Sequence, residues 1–192
     1  SVPGKKSITL PMGKINITRT VKSLNIILRT CMSVNMLTQS KKRIFEKEKE
    51  EYTKRTLISL INSVHYAEDF FKDVKFKVHI IDHNSSKNQI DDIRIILEKS
   101  NLNFEILNLR FEEFSKLIEN INEEKKEVTK NQKSNMSNIH QSLILSKEVS
   151  EDLTYFVEDD YIHEKNSLPE MLFAYEKICL LYTSDAADER NS

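Results

Sequence analysis

The chain has 192 residues, 39% of them hydrophobic and 31% charged, with a formal net charge of −1. That length and mix fit one domain with a real core and exclude a disordered chain; the near-neutral charge gives no electrostatic case for nucleic acid as the main partner. No apolar run approaches the ~18 residues that cross a bilayer, so no transmembrane segment is expected.

Residues 1–23 read as an N-terminal extension, with Pro3, Gly4 and Pro11, no clear periodicity and Met12 as a candidate start. Leu24 to Leu28 is a β-branched run read as the first strand, ending in Arg29-Thr30-Cys31. A polar loop from Ser33 to Ser40 leads into a charge-dense stretch, Lys41 to Lys54, read as a solvated helix or its approach. Leu57, Leu60, Ile61 and Val64 then mark one apolar helix face. Phe76 to Ile81 is a second strand, running into Asp82-His83-Asn84-Ser85-Ser86, a turn able to cap a helix whose inner stripe is Ile90, Ile93, Ile96 and Leu97.

Phe104 to Leu109 is a third strand, and Phe111, Phe114, Leu117, Ile118 and Ile121 continue it as a helix. Asn122 to Ser134 reads as a charged loop, after which Asn135 or Ser137 opens a helix to which Ile139, Leu143 and Leu145 belong. Leu153 to Val157 is the fourth strand. Ser167 is placed as the N-cap of a last helix, with Pro169 in its first turn and Glu170 at capping-box spacing. The tail from Cys179 to Glu189 abruptly loses the Lys, Ile and Asn bias of the body and resembles a translated sequencing-library adapter. Residues 179–192 are therefore expected to be non-native and residues 24–178 an incomplete, C-terminally truncated domain. The alternative is a natural short helix with a polar end.

Strands alternating with helices predict an α/β fold with parallel βαβ units and ligand chemistry at the strand C-termini. Three of those tips are polar: Arg29-Thr30, Asp82 to Ser86, and Glu158-Asp159-Asp160. A parallel sheet brings them to one edge. Buried carboxylates need a partner or a metal, and hard oxygen ligands suit Mg²⁺ or Mn²⁺ carrying a phosphate. The acidic run reads equally as a turn after a strand, and Asp82 as an Asx-turn residue. His163 and His83 stand near the acids, but a lone histidine is more often a packing residue. Cys31 reads as a small buried filler. With only Gly4 and Gly13, a glycine-rich phosphate loop is excluded. Two cysteines are too few for a disulfide framework and, with no signal-peptide pattern, point to a reducing cytoplasm.

Ile26-Ile27-Leu28-Arg29-Thr30, Ile80 to Ser86, Asn135-Met136-Ser137-Asn138 and Tyr155 to Asp160 occur in the order of GT-A glycosyltransferases, and the chain most resembles bacterial family 2 members over Leu24 to Ile178. The resemblance implies a Rossmann-like, mostly parallel sheet with helices on both faces. It implies a nucleotide-diphospho sugar donor held by Arg29, Thr30, Asp82, Asn135 and Asn138. Glu158-Asp159-Asp160 stands where the family has Asp-x-Asp, which implies Asp160 and Glu158 as ligands of Mg²⁺ or Mn²⁺, with Glu158 and Asp159 sharing sugar or water contacts. The acceptor would be a carbohydrate or a lipid-linked precursor, which points to a cytoplasmic, membrane-proximal enzyme. The resemblance assigns the catalytic base to no residue here, since in inverting members it usually lies beyond the matching segment. The rival readings are a nucleotidyltransferase or other metal-dependent phosphate-handling enzyme, and a non-catalytic nucleotide- or protein-binding α/β domain.

Overall fold

The computed structural model describes residues 20–33, 48–120 and 127–178. Met12 and most of the N-terminal extension, the greater part of the loop after β1 and the tail at residues 179–192 lie outside them. Val21–Met171 form one compact unit. Of the other, Ser1–Thr20 with Leu172–Ser192, Thr20 and the end of one helix are described.

The elements are β1 (Ser23–Thr30), α1 (Lys49–Phe70), β2 (Lys75–Asp82), α2 (Lys87–Ser100), β3 (Asn103–Asn108), α3 (Phe111–Phe114) with a 3-10 turn at Ser115–Leu117, α4 (Lys130–Val149), β4 (Leu153–Glu158) and α5 (Ser167–Ile178). The four strands form one all-parallel sheet in the order β3-β2-β1-β4. The chain steps one way from β1 to β2 to β3, then reverses past β1 to reach β4. Right-handed crossovers therefore put α1 and α2 on one face and α4 on the other. β1 is central and buried on both faces, which is why it reads as a continuous apolar run.

Ile27 and Ile81 pack with Leu109 and Phe114 on the α4 face. Ile26, Leu28, Val78 and Ile80 alternate with them and are fully buried on the opposite face, as are Leu57, Leu60 and Val64 of α1 and Ile93 and Leu97 of α2. Those helix stripes follow the apolar periodicity of the sequence. Burial of each such side chain contributes roughly 1.5–3 kcal/mol.

α4 departs from its periodicity. Ser137, Asn138, Gln141 and Ser142 are buried, while Met136, Ile139 and Leu143 are exposed. The sheet and the chain leaving β3 present backbone groups there that need partners. Asn138 Nδ2 donates to the Ile81 carbonyl (3.1 Å), and Gln141 bonds both the Asn108 carbonyl (3.1 Å) and the Arg110 N–H (2.8 Å). An unsatisfied buried polar group costs more than an exposed isoleucine. The helix also starts earlier than Asn135: Thr129 accepts from the Gln132 N–H and the Gln132 side chain bonds back to the Thr129 N–H. α3 is one turn rather than a full helix, because within Phe111–Leu117 only Phe114 is buried. In α5, Ser167 is already helical, and Ser63 Oγ of α1 accepts from the Leu168 N–H (3.0 Å).

The described residues with positive φ are Asn84 (61°) and Asn101 (57°). Asparagine tolerates the left-handed region best after glycine, and this chain holds only two glycines. Among the described residues, no helix is long and apolar enough to cross a membrane.

The Thr129–Gln132 capping box fixes where α4 begins. Thr129→Ala is expected to lower stability by about 1 kcal/mol, seen as a lower urea midpoint with an unchanged m-value. An unchanged midpoint would contradict the cap.

Candidate functional site at the C-terminal edge of the sheet

Paired residues on adjacent parallel strands share a face, and successive residues alternate. Thr30 pairs with Asp82, while Arg29 pairs with Ile81 and Glu158. The polar tips therefore divide into two clusters on opposite sides of one edge.

On the α1 side, Asp82 is nearly fully buried. Its Oδ1 accepts from Thr30 Oγ1 (2.7 Å) and Ser85 Oγ (2.5 Å), and its Oδ2 accepts from the Ser85 N–H (3.1 Å). Ser85 Oγ in turn accepts from the Met32 N–H (2.9 Å). Asp82 thus closes the turn before α2, and Asn84 takes the left-handed conformation that the turn requires. Ser86 caps α2 with Gln89 in a capping box, as its position predicts. Asp159, across the central strand, is also buried. Its Oδ1 accepts from Lys49 Nζ (2.5 Å) and its Oδ2 from Thr53 Oγ1 (3.1 Å) and the Cys31 N–H (3.4 Å). Burial raises its carboxyl above the ordinary value, and Lys49 opposes that shift. The Cys31 thiol is pushed up to about 11, first by burial and then by Asp82 and Asp159. It stays protonated at neutral pH and is a packing residue, not a nucleophile.

On the α4 side, Arg29 Nη2 donates to Glu158 Oε1 (2.5 Å) and Nη1 to Asn135 Oδ1 (3.0 Å). Glu158 remains half-exposed. Beside this cluster, at the ends of β2 and β3, opens a cleft of about 480 Å³ lined by His83, Asn84, Leu109, Arg110, Phe111 and Lys130, among others. The His83 ring stacks on Phe111 with centroids 4.9 Å apart, and its Nδ1 lies 2.5 Å from Ser134 Oγ. Burial lowers the His83 pKa, which favours the neutral ring at neutral pH.

Arg29, Thr30, Asp82, Asn135, Glu158 and Asp159 therefore meet at one edge. Asn138 does not join them, since its amide is bonded to the sheet. Asp159 is turned inward rather than toward sugar or water. Asp160 is exposed and has no hydrogen-bond or ion-pair partner among the described residues. His163 lies away from the acids: its N–H donates to Ser59 Oγ and its Nε2 lies 3.1 Å from the Tyr155 hydroxyl. Sequence reasoning missed Lys49 and Thr53, whose separation from Asp159 exceeds a hundred residues, and the Phe111–His83 stack. A weak signal existed for Phe111, which follows a strand at the crevice side.

Among the described residues, no group of three or more His, Cys, Asp or Glu could hold a metal unaided. Asp160 is the unengaged carboxylate, and Glu158 is bonded through Oε1. Comparison with protein-family models, with characterised proteins and with solved structures finds no match to the chain.

Removing the ammonium beside Asp159 strands a buried carboxylate. Lys49→Met is expected to cost about 3–5 kcal/mol at neutral pH, with Lys49→Met/Asp159→Asn recovering most of it. A carboxyl whose pKa is raised on folding contributes stability below its ordinary pKa and loses it as pH rises through the folded value. The Lys49→Met deficit should therefore grow from acid to neutral pH in urea melts. A deficit that shrinks with rising pH would contradict the pairing.

Proposed function

We propose that this edge binds a nucleotide-diphospho sugar and that the chain is the donor-binding part of a metal-assisted glycosyltransferase of the GT-A kind. The observation that carries the reading is the convergence of β1, β2 and β4 tips, far apart in sequence, beside an open cleft at the ends of β2 and β3. Open α/β sheets bind ligands in such a crevice. The cleft falls within the size of ordinary ligand pockets, roughly 300–1,000 Å³.

In this reading the nucleoside lies against the β1 and β2 tips. Asp82 contributes what acceptor capacity remains after its three hydrogen bonds, and Thr30 holds it in place. The Phe111–His83 stack would give the nucleotide an aromatic wall and Lys130 a cation, in a cleft that Glu112 and the Arg110–Glu113 pair also line. Arg29, oriented by Asn135 and Glu158, would supply a guanidinium to a pyrophosphate oxygen. Asp160, with Glu158, is where Mg²⁺ or Mn²⁺ would be held. Such an ion supplies charge neutralisation of the departing nucleoside diphosphate. The buried Lys49–Asp159 pair keeps the acidic turn anchored so that Asp160 projects outward. The acceptor, in this reading, is a carbohydrate or a lipid-linked precursor, and a cytoplasmic site beside the membrane would suit it.

Calorimetry of the full chain with a panel of nucleoside diphosphates, with and without Mn²⁺, tests this. At least one diphosphate should bind in a Mn²⁺-dependent manner, and Asp160→Ala should weaken it about tenfold to a hundredfold. Binding of no diphosphate, or binding indifferent to both Mn²⁺ and Asp160→Ala, would sink the reading. Metal-independent binding would leave a nucleotide-binding domain in place of a transferase.

A further inference from the structure

His79 is fully buried in the middle of β2, on the α4 face, well below the polar edge. Its Nδ1 lies 2.5 Å from Glu105 Oε1 on β3, and its Nε2 lies 2.9 Å from Asn25 Oδ1 on β1. Asn25 Nδ2 donates to the carbonyl of Val149, the last residue of α4 (3.3 Å). That carbonyl lies beyond the helix's own ladder and needs an outside donor.

Donor and acceptor logic constrains this chain of contacts. A carbonyl only accepts, so Asn25 must turn its NH₂ toward Val149. Its oxygen then faces His79 Nε2 and requires an N–H there. Glu105 as a carboxylate requires an N–H at Nδ1. Both ring nitrogens must carry protons, and a neutral imidazole has only one. With a neutral ring the Nδ1–H stays with Glu105 and Nε2 becomes an acceptor facing an acceptor. The conflict is relieved when the Asn25 amide turns over, giving N–H to Nε2 and presenting oxygen to Val149, which breaks that bond.

We propose that His79, Asn25 and Val149 form a proton-operated latch: the doubly protonated ring ties the end of α4 to the sheet, and loss of the Nε2 proton to solvent turns the Asn25 amide and frees the Val149 carbonyl. The charged groups that reach His79 are Glu105, which favours its cationic form, and Lys77, which opposes it and is also paired with Glu105 (3.3 Å). β1 contributes the uncharged Asn25 amide and α4 the uncharged Val149 carbonyl, and Lys147 and Glu148 in the last turn of α4 are exposed. Burial outweighs Glu105 and sets the transition on the acid side of the ordinary histidine value.

Long-range ¹⁵N–¹H correlation spectra of the full chain, titrated from acid to neutral pH, test this. At the acid end both His79 nitrogens should be protonated. On raising the pH, Nε2 alone should lose its proton, the Asn25 side-chain amide should shift with the same midpoint, and amide exchange in the last turn of α4 should speed up. The isosteric Glu105→Gln removes the charge that favours the cation and should move the midpoint down by about one pH unit. Three results would each overturn the latch: an Nε2 without a proton throughout the folded range, an Asn25 amide silent while His79 titrates, or a midpoint that Glu105→Gln leaves in place.

Discussion

The pleat of β1 governs the edge of this sheet. β1 pairs with β2 on one side and β4 on the other, so every polar group gathered at the edge is positioned relative to its last two residues. Because side chains alternate, Thr30 and Arg29 cannot point the same way. Thr30 reaches Asp82 on the α1 side, and Arg29 reaches Glu158 and Asn135 on the α4 side. One peptide unit thus separates two clusters of different character: a buried, closed one and a half-exposed, open one. A one-residue slip in the β1 register would exchange them.

Four carboxylates crowd this edge, and electrostatics decides their fates. Asp82 is held by hydroxyl and backbone donors, Asp159 by an ammonium and a hydroxyl, and Glu158 by a guanidinium. Each assignment follows from burial. The two most buried acids take the most donors, since an isolated buried charge is prohibitive. Asp160 is left exposed to water at the end of the turn. The edge tolerates this concentration of acids because Asp159 and Glu158 are paired with cations and Asp82 is held by three neutral donors.

The fold was legible in the sequence because its strands are short, β-branched and punctuated by polar tips. All four lie within one or two residues of where the apolar runs put them. The helix stripes of α1 and α2 were readable for the same reason: they bury apolar surface, which periodicity reports. The polar part of α4's buried face was not legible, because periodicity reports apolar burial and here backbone groups of the sheet and of the chain leaving β3 take the amides of Asn138 and Gln141. The clustering of polar tips followed from topology alone. The division of labour within Glu158-Asp159-Asp160 did not, since it depends on Lys49 and Thr53 of α1 and on the pleat of β4. Neither strand register nor a partner more than a hundred residues away leaves a trace in local pattern.

α4 shows what is gained by a mixed face, in which Asn138 and Gln141 dock beside Ile144 and Leu145. A helix docked by apolar contact can slide or roll at little cost, because dispersion and burial are weakly directional. A helix docked by Asn138, Gln141 and Ser146 is held in one rotation and one register, because each bond fails outside a narrow range of distance and angle. Ser146 Oγ donates to Thr154 Oγ1 (3.1 Å), so the same helix also fixes β4 against the sheet. Ser134 and Asn135, one turn from Asn138, inherit that precision, and through them so do the His83 ring and the Arg29 guanidinium. At the far end, Val149 hangs on the Asn25 amide and the protonation of His79. The exposed Met136, Ile139 and Leu143 are the counterpart of this arrangement: α4 keeps Ile144 and Leu145 against the core, gives up part of its apolar burial and gains a fixed register against the sheet.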